Sequence, residues 1–209
     1  MTSRLTALQS GLDELGLSLP AGARDKLLDY LELLAKWNKI YNLTAIRDAD
    51  KMISHHLLDS LAVLPHLPAG TLADVGSGAG LPGIPLAIAE PARRVTLSDA
   101  NHKKAAFLQQ AVIELQLSNA EVHIGRVQAW HPAESFACVI TRGFAELAAF
   151  ITACRHLLVP GGVLAAMKGV LPAAELQRVP DDAQCRDVRR LRVPQLDAER
   201  HLVLCRCAA

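Results

Sequence analysis

The sequence predicts a doubly wound α/β fold, a mostly parallel seven-stranded sheet with a helical N-terminal cap. Three observations carry that prediction. From residue 70 onward short apolar runs alternate with helical patterns, which implies parallel strands joined by crossover helices. Ahead of them lies a segment with a leucine period of three to four residues and no strand-like run. The last two apolar runs stand too close together for a helix to fit between them, so they read as an antiparallel hairpin closing the sheet.

Each element follows from its residues. Leu5, Leu8, Leu12 and Leu15 mark a first helix, and Leu27, Leu28, Leu31, Leu34, Ala35 and Trp37 a second. Pro20 and Gly22 separate them. A third helix runs from Asp50 to Leu64 and stops at Pro65. Strands are expected at Thr71–Val75, Arg94–Ser98, Glu121–Ile124, Ala137–Thr141 and Gly162–Met167. Helices at Asn101–Leu117 and Ala145–Leu158 cross between them, and Cys185–Val193 with Arg200–Cys207 form the hairpin. This divides the chain into a cap, residues 1–66, and a cofactor-binding domain, residues 67–209.

Composition bounds the function. A chain of 209 residues, 51% of them hydrophobic, suits one domain with an extension and is not disordered. Lys and Arg number 22 against 21 Asp and Glu, and no block of like charges forms a basic tail. A net charge of +1 argues only weakly against nucleic acid, because distribution matters more than the sum. Met1–Leu19 contains Arg4, Asp13 and Glu14 and does not read as a secretory signal, so a cytoplasmic protein is expected. No run is long and apolar enough for a membrane span. The cysteines are odd in number and lack a Cys-x-x-Cys pair. They read as reduced thiols, with neither a disulfide nor a metal site expected. In an extended strand Cys205 and Cys207 face the same side.

The stretch Asp74-Val-Gly-Ser-Gly-Ala-Gly-Leu-Pro-Gly83 is the candidate cofactor loop. Gly76, Gly78 and Gly80 follow the first strand, where a ligand can approach the backbone closely. Two readings compete. Residues 78–83 match the Gly-x-Gly-x-x-Gly dinucleotide fingerprint, with Asp99 placed to hold a ribose. Alternatively, Asp74 and the three glycines hold S-adenosyl-L-methionine. Asp74 suits the ammonium of that cofactor and opposes a pyrophosphate, while Pro82 and Pro85 remove N–H donors a phosphate would need. The second reading is preferred, and Asp99 serves either.

The chain also carries Trp37-Asn-Lys-Ile-Tyr-Asn-Leu-Thr44, His56-Leu-Leu-Asp-Ser60, Gly80-Leu-Pro-Gly-Ile-Pro85, Ile140-Thr-Arg-Gly-Phe-Ala145, Met167-Lys-Gly169 and Glu199-Arg-His-Leu-Val203. With these motifs it resembles the glucose-inhibited division protein B family, bacterial methyltransferases that modify N7 of a guanine in small-subunit ribosomal RNA. The resemblance implies a Rossmann-like class I methyltransferase fold. It implies cofactor contacts at Gly76, Leu81, Val127, Gln128 and Arg142, with Asp99 on the ribose. It further implies 16S rRNA as partner, within the 30S subunit or a late assembly intermediate. Gln128 departs from the family, many of whose members carry an acid there.

The residues after the fourth strand agree with such chemistry. Ile140-Thr-Arg-Gly143 lacks the Asn/Asp-Pro-Pro-aromatic loop that serves an exocyclic amine, and Cys138 lies inside the strand, where it reads as inert core. Guanine N7 carries a lone pair and no proton, so alignment can replace a general base. Arg142 is the candidate catalytic residue, positioning substrate through guanine O6 or a phosphate. Lys103, Lys104, Phe144 and Lys168 are candidate RNA contacts, and Arg189, Arg190 and Arg192 add further charge. A small-molecule methyltransferase, an inactive binding module and an NAD-dependent oxidoreductase remain as alternatives. A monomer is expected.

Overall fold

The computed structural model describes residues 2–144 and 146–207. Ala145, where the sequence starts a helix, lies outside them.

The cap opens with α1 (Thr2–Leu15) and α2 (Ala23–Tyr41), and Leu8, Leu12, Leu27 and Leu34 on their leucine stripes are fully buried. Helix α2 ends where Asn42 turns left-handed, with φ 50°, its amide donating to Asn38 O. The buried Asn38 side chain accepts from the Thr44 amide at 2.9 Å, and the Thr44 hydroxyl lies 3.0 Å from His56 Nε2. The Trp37–Thr44 motif is therefore a helix stop that ties down the next helix.

That next helix is wider than the sequence predicts. Asp48 caps α3 (Ala49–Met52) by accepting from the Asp50 amide. The rod continues through a π-helical turn, Ile53–Leu58, into α4 (Asp59–Leu61). At the turn's end the Asp59 amide donates to Ser54 O, five residues back, where an α-helix reaches four. A 3-10 turn at Leu64–His66 then ends the cap around Pro65.

The sheet holds β1 (Leu72–Val75), β2 (Val95–Asp99), β3 (Ala120–Ile124), β4 (Phe136–Arg142), β5 (Leu158–Lys168), β6 (Ala183–Leu191) and β7 (Arg200–Cys207), in the order β3-β2-β1-β4-β5-β7-β6. The first five run parallel, and β7 inserts antiparallel between β5 and β6. The predicted tail hairpin thus has its second strand inside and its first at the edge. Leu72, Leu97, Ile140, Ala165 and Leu202 turn one face toward the cap, α5 (Gly83–Ala89) and α6 (His102–Glu114), in one continuous core. The other face, with Ala73, Val75, Val139, Leu164 and Val203, packs on α7 (Leu147–Cys154). A short α8 (Ala173–Leu176) lies between β5 and β6.

Two expectations are corrected. The β3–β4 connection holds no α-helix, only a 3-10 turn at Val127–Ala129 and a loop. Gly125 and Pro132 break any helical period there, and Trp130, stacked on His123 with ring centroids 4.3 Å apart, covers the sheet instead. The cysteines are not all thiols. The β6–β7 pairing sets Cys185 beside Cys205, Cα atoms 4.1 Å apart, and joins them in a disulfide. Cys138, Cys154 and Cys207 are free. Cys205 and Cys207 do share a face, one buried and one half-buried.

Candidate active site

Strand order reverses between β1 and β4, the place where open α/β sheets bind ligands at the carboxyl ends of their strands. Gly76 follows β1 and Gly143 follows β4, with φ of 70° and 90°. A Cβ built on either meets no heavy atom within 4 Å. Exposed backbone with left-handed φ and open space beside it thus stands at the junction of the two halves of the sheet, where a ligand can approach closely.

The amides of the glycine loop are spent inside the protein. Gly76 and Ser77 both donate to Ser98 O, at 2.9 and 3.0 Å. Gly80 and Leu81 donate to Ser77 O, at 2.8 and 3.1 Å. Gly78 donates to Asp99 Oδ2 and Gly83 to Asp74 Oδ2, each at 2.9 Å. A pyrophosphate needs several such donors turned toward it. This loop offers a shaped wall instead, which weighs against the dinucleotide reading. From the cap, the Tyr30 hydroxyl donates to Ala79 O at 2.7 Å and clamps the loop from outside. Burial raises the Tyr30 pKa far above its usual value, so it stays a neutral donor.

Two carboxylates stand at the ends of β1 and β2. Asp74 is fully buried, and its Oδ2 also accepts from the Ser77 hydroxyl at 2.5 Å. Its Oδ1 has no partner among the described residues. Burial lifts its pKa to about 6, against the lowering effects of the Ser77 and Gly83 bonds and the Arg142 charge. Asp99 is 8% exposed and accepts from Gly78 on one oxygen and Asn101 on the other, leaving a second lone pair on each. An orphaned carboxylate oxygen, a second acid and an exposed glycine backbone fit a ligand with an ammonium and a ribose diol, as S-adenosylmethionine has. Val127 is buried and Gln128 exposed in the turn after β3. Among the described residues no three His, Cys, Asp or Glu side chains group as metal ligands.

Arg142 ends β4, and its Nη1 donates to Asp59 Oδ2 at 3.0 Å and to His55 O at 3.1 Å. Arg200, at the start of β7, donates from Nε to Asp59 Oδ1 at 2.7 Å. Asp59 is 1% exposed, so one buried cap carboxylate fixes two guanidinium groups from two strands. Arg142 Nε and Nη2 have no partner among the described residues and remain available. Beside them His56, 3% exposed, is depressed to about pKa 4 by burial and the Arg142 charge, so it is neutral at physiological pH.

The candidate RNA contacts are treated unequally. Lys103 is exposed at the start of α6, where the Asn101 side chain accepts from its amide. Lys104 Nζ sits 4.0 Å from the Cβ position of Gly78, over the loop. Lys168, by contrast, is held by Glu175 at 2.8 Å and by Phe144 O at 3.3 Å. Phe144 is half-buried against Phe150, ring centroids 5.5 Å apart. Sequence reasoning did not identify Asp59, Arg200 or Tyr30 as parts of this site. The first two lie within the motifs His56–Ser60 and Glu199–Val203, which were the available signal.

Comparison with known proteins decides the family. A family model described as GidB, rRNA small subunit methyltransferase G, matches residues 23–203. A Laribacter hongkongensis protein named Ribosomal RNA small subunit methyltransferase G is 53% identical over 94% of this chain and 95% of its own length. The chain belongs to this family. A Neisseria meningitidis protein of the same name is 54% identical over 96% of this chain and 97% of its own. Among solved structures, the DhpI–SAH complex matches with a TM-score of 0.56 at 18% identity, over 90% of this chain and 98% of that one, which shows the fold. The rRNA small subunit methyltransferase G family member described here is thus a class I methyltransferase with S-adenosylmethionine as its cofactor.

Proposed function

We propose that this methyltransferase transfers a methyl group from S-adenosylmethionine to N7 of a guanine in 16S rRNA. The substrate is the 30S subunit or a late assembly intermediate, and the enzyme acts as a cytoplasmic monomer. Residues 67–209 make the catalytic domain and residues 1–66 its accessory cap.

The cofactor supplies an electrophilic methyl group, and the residues of this chain align it. Asp74 takes the ammonium on its unused oxygen, Asp99 the ribose, and Gly76, Gly78, Gly80 and Leu81 form the wall. Val127 and Gln128 flank the adenine, with Gln128 able to accept from its amine through the side-chain carbonyl. The N7 lone pair lies in the base plane and carries no proton, so no group has to remove one before attack. What the site must supply is proximity and angle, an effect worth roughly 7–11 kcal/mol at best.

The observation that carries this reading is Arg142: one nitrogen is fixed on Asp59 and His55 O, and the remaining donors have no partner among the described residues. A guanidinium so anchored can hold guanine O6 while leaving N7 to the methyl group. Lys103, Lys104 and Phe144 then contact the surrounding RNA, and Lys168 joins them once Glu175 releases it.

Transfer of labelled methyl to 30S subunits lacking the modification, followed by mapping of the labelled base, tests the reading. Label on one guanine, lost on strand scission specific to 7-methylguanine, is expected. Label on an exocyclic amine or a ribose, or no label on RNA at all, overturns it.

A further inference from the structure

Most of the cationic side chains named so far surround the proposed active site, yet a substrate particle covers far more surface than one base. We infer that the outer edge of the sheet carries a second RNA contact, a groove that binds phosphodiester groups flanking the target. The inference rests on the rRNA reading above and extends it to a site remote from catalysis.

The groove has a volume of about 430 Å³ and lies between the cap's last turn, with His66 on its wall, and β6 and β7, which present Arg186, Arg189 and Arg206. A register shift between Gln184 and Asp187 breaks the strict in-out alternation of β6, and both Arg186 and Asp187 line the groove as a result. Three arginines therefore meet one carboxylate. Asp187 is engaged by Arg189, whose Nε and Nη2 donate to its two oxygens at 2.6 and 3.0 Å. Arg206 gives one N–H to Gly161 O at 2.9 Å, which carries no full charge. Arg186 has no acceptor among the described residues. Among the described residues Arg186 and Arg206 thus have no ion pair in this concave site, and Asp187, already bound to Arg189, is the one acid that feels the Arg206 charge. On the groove wall His66 has its pKa lowered first by burial and then by the Arg189 charge, against the raising effect of Asp187.

The groove's position suits a strand that also reaches the proposed active site. Arg142, Met167, Leu202 and Arg189 pair in one register row across β4, β5, β7 and β6. Three strand spacings put Arg189 about 14 Å from Arg142 along the sheet. Fork-shaped donors matched to phosphate oxygens, on a rigid sheet and with no Phe, Tyr or Trp among the lining residues, fix the register of a backbone and read no sequence. The competing account of an arginine-rich edge strand is simple solvation that blocks edge pairing.

The test uses the full chain, 30S subunits lacking the modification, and the double variant Arg186→Gln/Arg206→Gln. Arg94→Gln serves as a charge control, because Arg94 is exposed and paired with Glu134 away from the groove. The double variant should raise KM for 30S subunits about 10-fold and reduce the slope of log affinity on log salt by about two. Calorimetric affinity for S-adenosylhomocysteine and the unfolding midpoint should match wild type, and Arg94→Gln should leave KM and slope in place. Wild-type KM and slope in the double variant would make the edge a solvated strand. Losses in the control about half as large, for one charge removed against two, would make the effect one of net charge, and either result overturns the groove. Should wild type transfer no methyl to 30S subunits, the rRNA reading fails by itself. Filter binding of the same subunits to the same variants then judges the groove, with unchanged affinity overturning it.

Discussion

Two aspartates, Asp74 and Asp59, are buried to the same degree, at 0% and 1% exposure, and the protein treats them in opposite ways. Asp59 receives two guanidinium groups, one on each oxygen, and so staples the cap to the ends of β4 and β7. Asp74 receives a hydroxyl and an amide on one oxygen and nothing on the other. Its pKa rises to about 6, chiefly through burial. A buried carboxylate with its charge neutralised holds a structure together, whereas one left short of partners is an unfinished site that a cationic ligand completes. On the proposed reading, the difference separates the acid that builds the site from the acid that meets the cofactor.

The largest expected effect breaks the staple. Asp59→Ala leaves two arginines facing a desolvated gap and should cost about 3–5 kcal/mol of stability, read from the urea midpoint. Asp59→Asn keeps the shape and should cost less. Asp74→Asn has the reverse profile. Its amide oxygen still accepts from Ser77 and Gly83, so thermal stability at pH 7 should equal or exceed wild type. Affinity for S-adenosylhomocysteine, measured by calorimetry, should fall roughly 100-fold through loss of a charged contact. Stability lost together with affinity would remove the distinction between the two acids. Arg142→Lys keeps the charge but cannot both hold Asp59 and present a fork, so methyl transfer to 30S subunits should slow about 10-fold or more.

The pH response sharpens the comparison further. Asp74, with a pKa raised from 3.8 to about 6, favours its protonated form in the fold. Its contribution to stability is present below pH 3.8 and is lost as pH rises through 6. His56, lowered from 6.5 to about 4, favours its neutral form. Its contribution is present above pH 6.5 and is lost as pH falls toward 4. The two oppose each other in that window. Relative to wild type, Asp74→Asn should therefore lose stability more steeply on acidification from pH 6.5 to 4, and His56→Gln less steeply, by of order 2 kcal/mol each. Identical urea midpoints against pH for the three proteins would refute this assignment. The smallest effect is Tyr30→Phe, which frees one loop carbonyl and should cost about 1 kcal/mol.

The two acids also mark where the sequence is legible. Asp74 announces itself, because a strand pattern ends on it and alternate glycines follow, and local spacing carries that information. Seven strands and the N-terminal helices are readable for the same reason, the strands as short apolar runs and the helices through a leucine period of three to four. Asp59 is silent. Its partners stand 83 and 141 residues away, and no local pattern encodes a contact made by a crossover between strands. The Cys185–Cys205 bond is hidden in a similar way, since an odd count of cysteines masks a pair created only by hairpin register. The missing β3–β4 helix was open to a stricter reading of Gly125 and Pro132.

The π-helical turn at Ile53–Leu58 bears on how this protein can change over time. In an α-helix each residue advances the side chains by about 100°, so one residue more or fewer in that turn would swing every later position of the rod around its axis. Asp59 would then leave the bearing that meets Arg142 and Arg200. The wide turn is in effect a phase setting, with the extra residue stored in one place. Substitutions along the rod can accumulate under ordinary packing constraints, but an insertion or deletion of a single codon between Met52 and Asp59 should be selected against far more strongly than the same event in the Gly16–Gly22 connection.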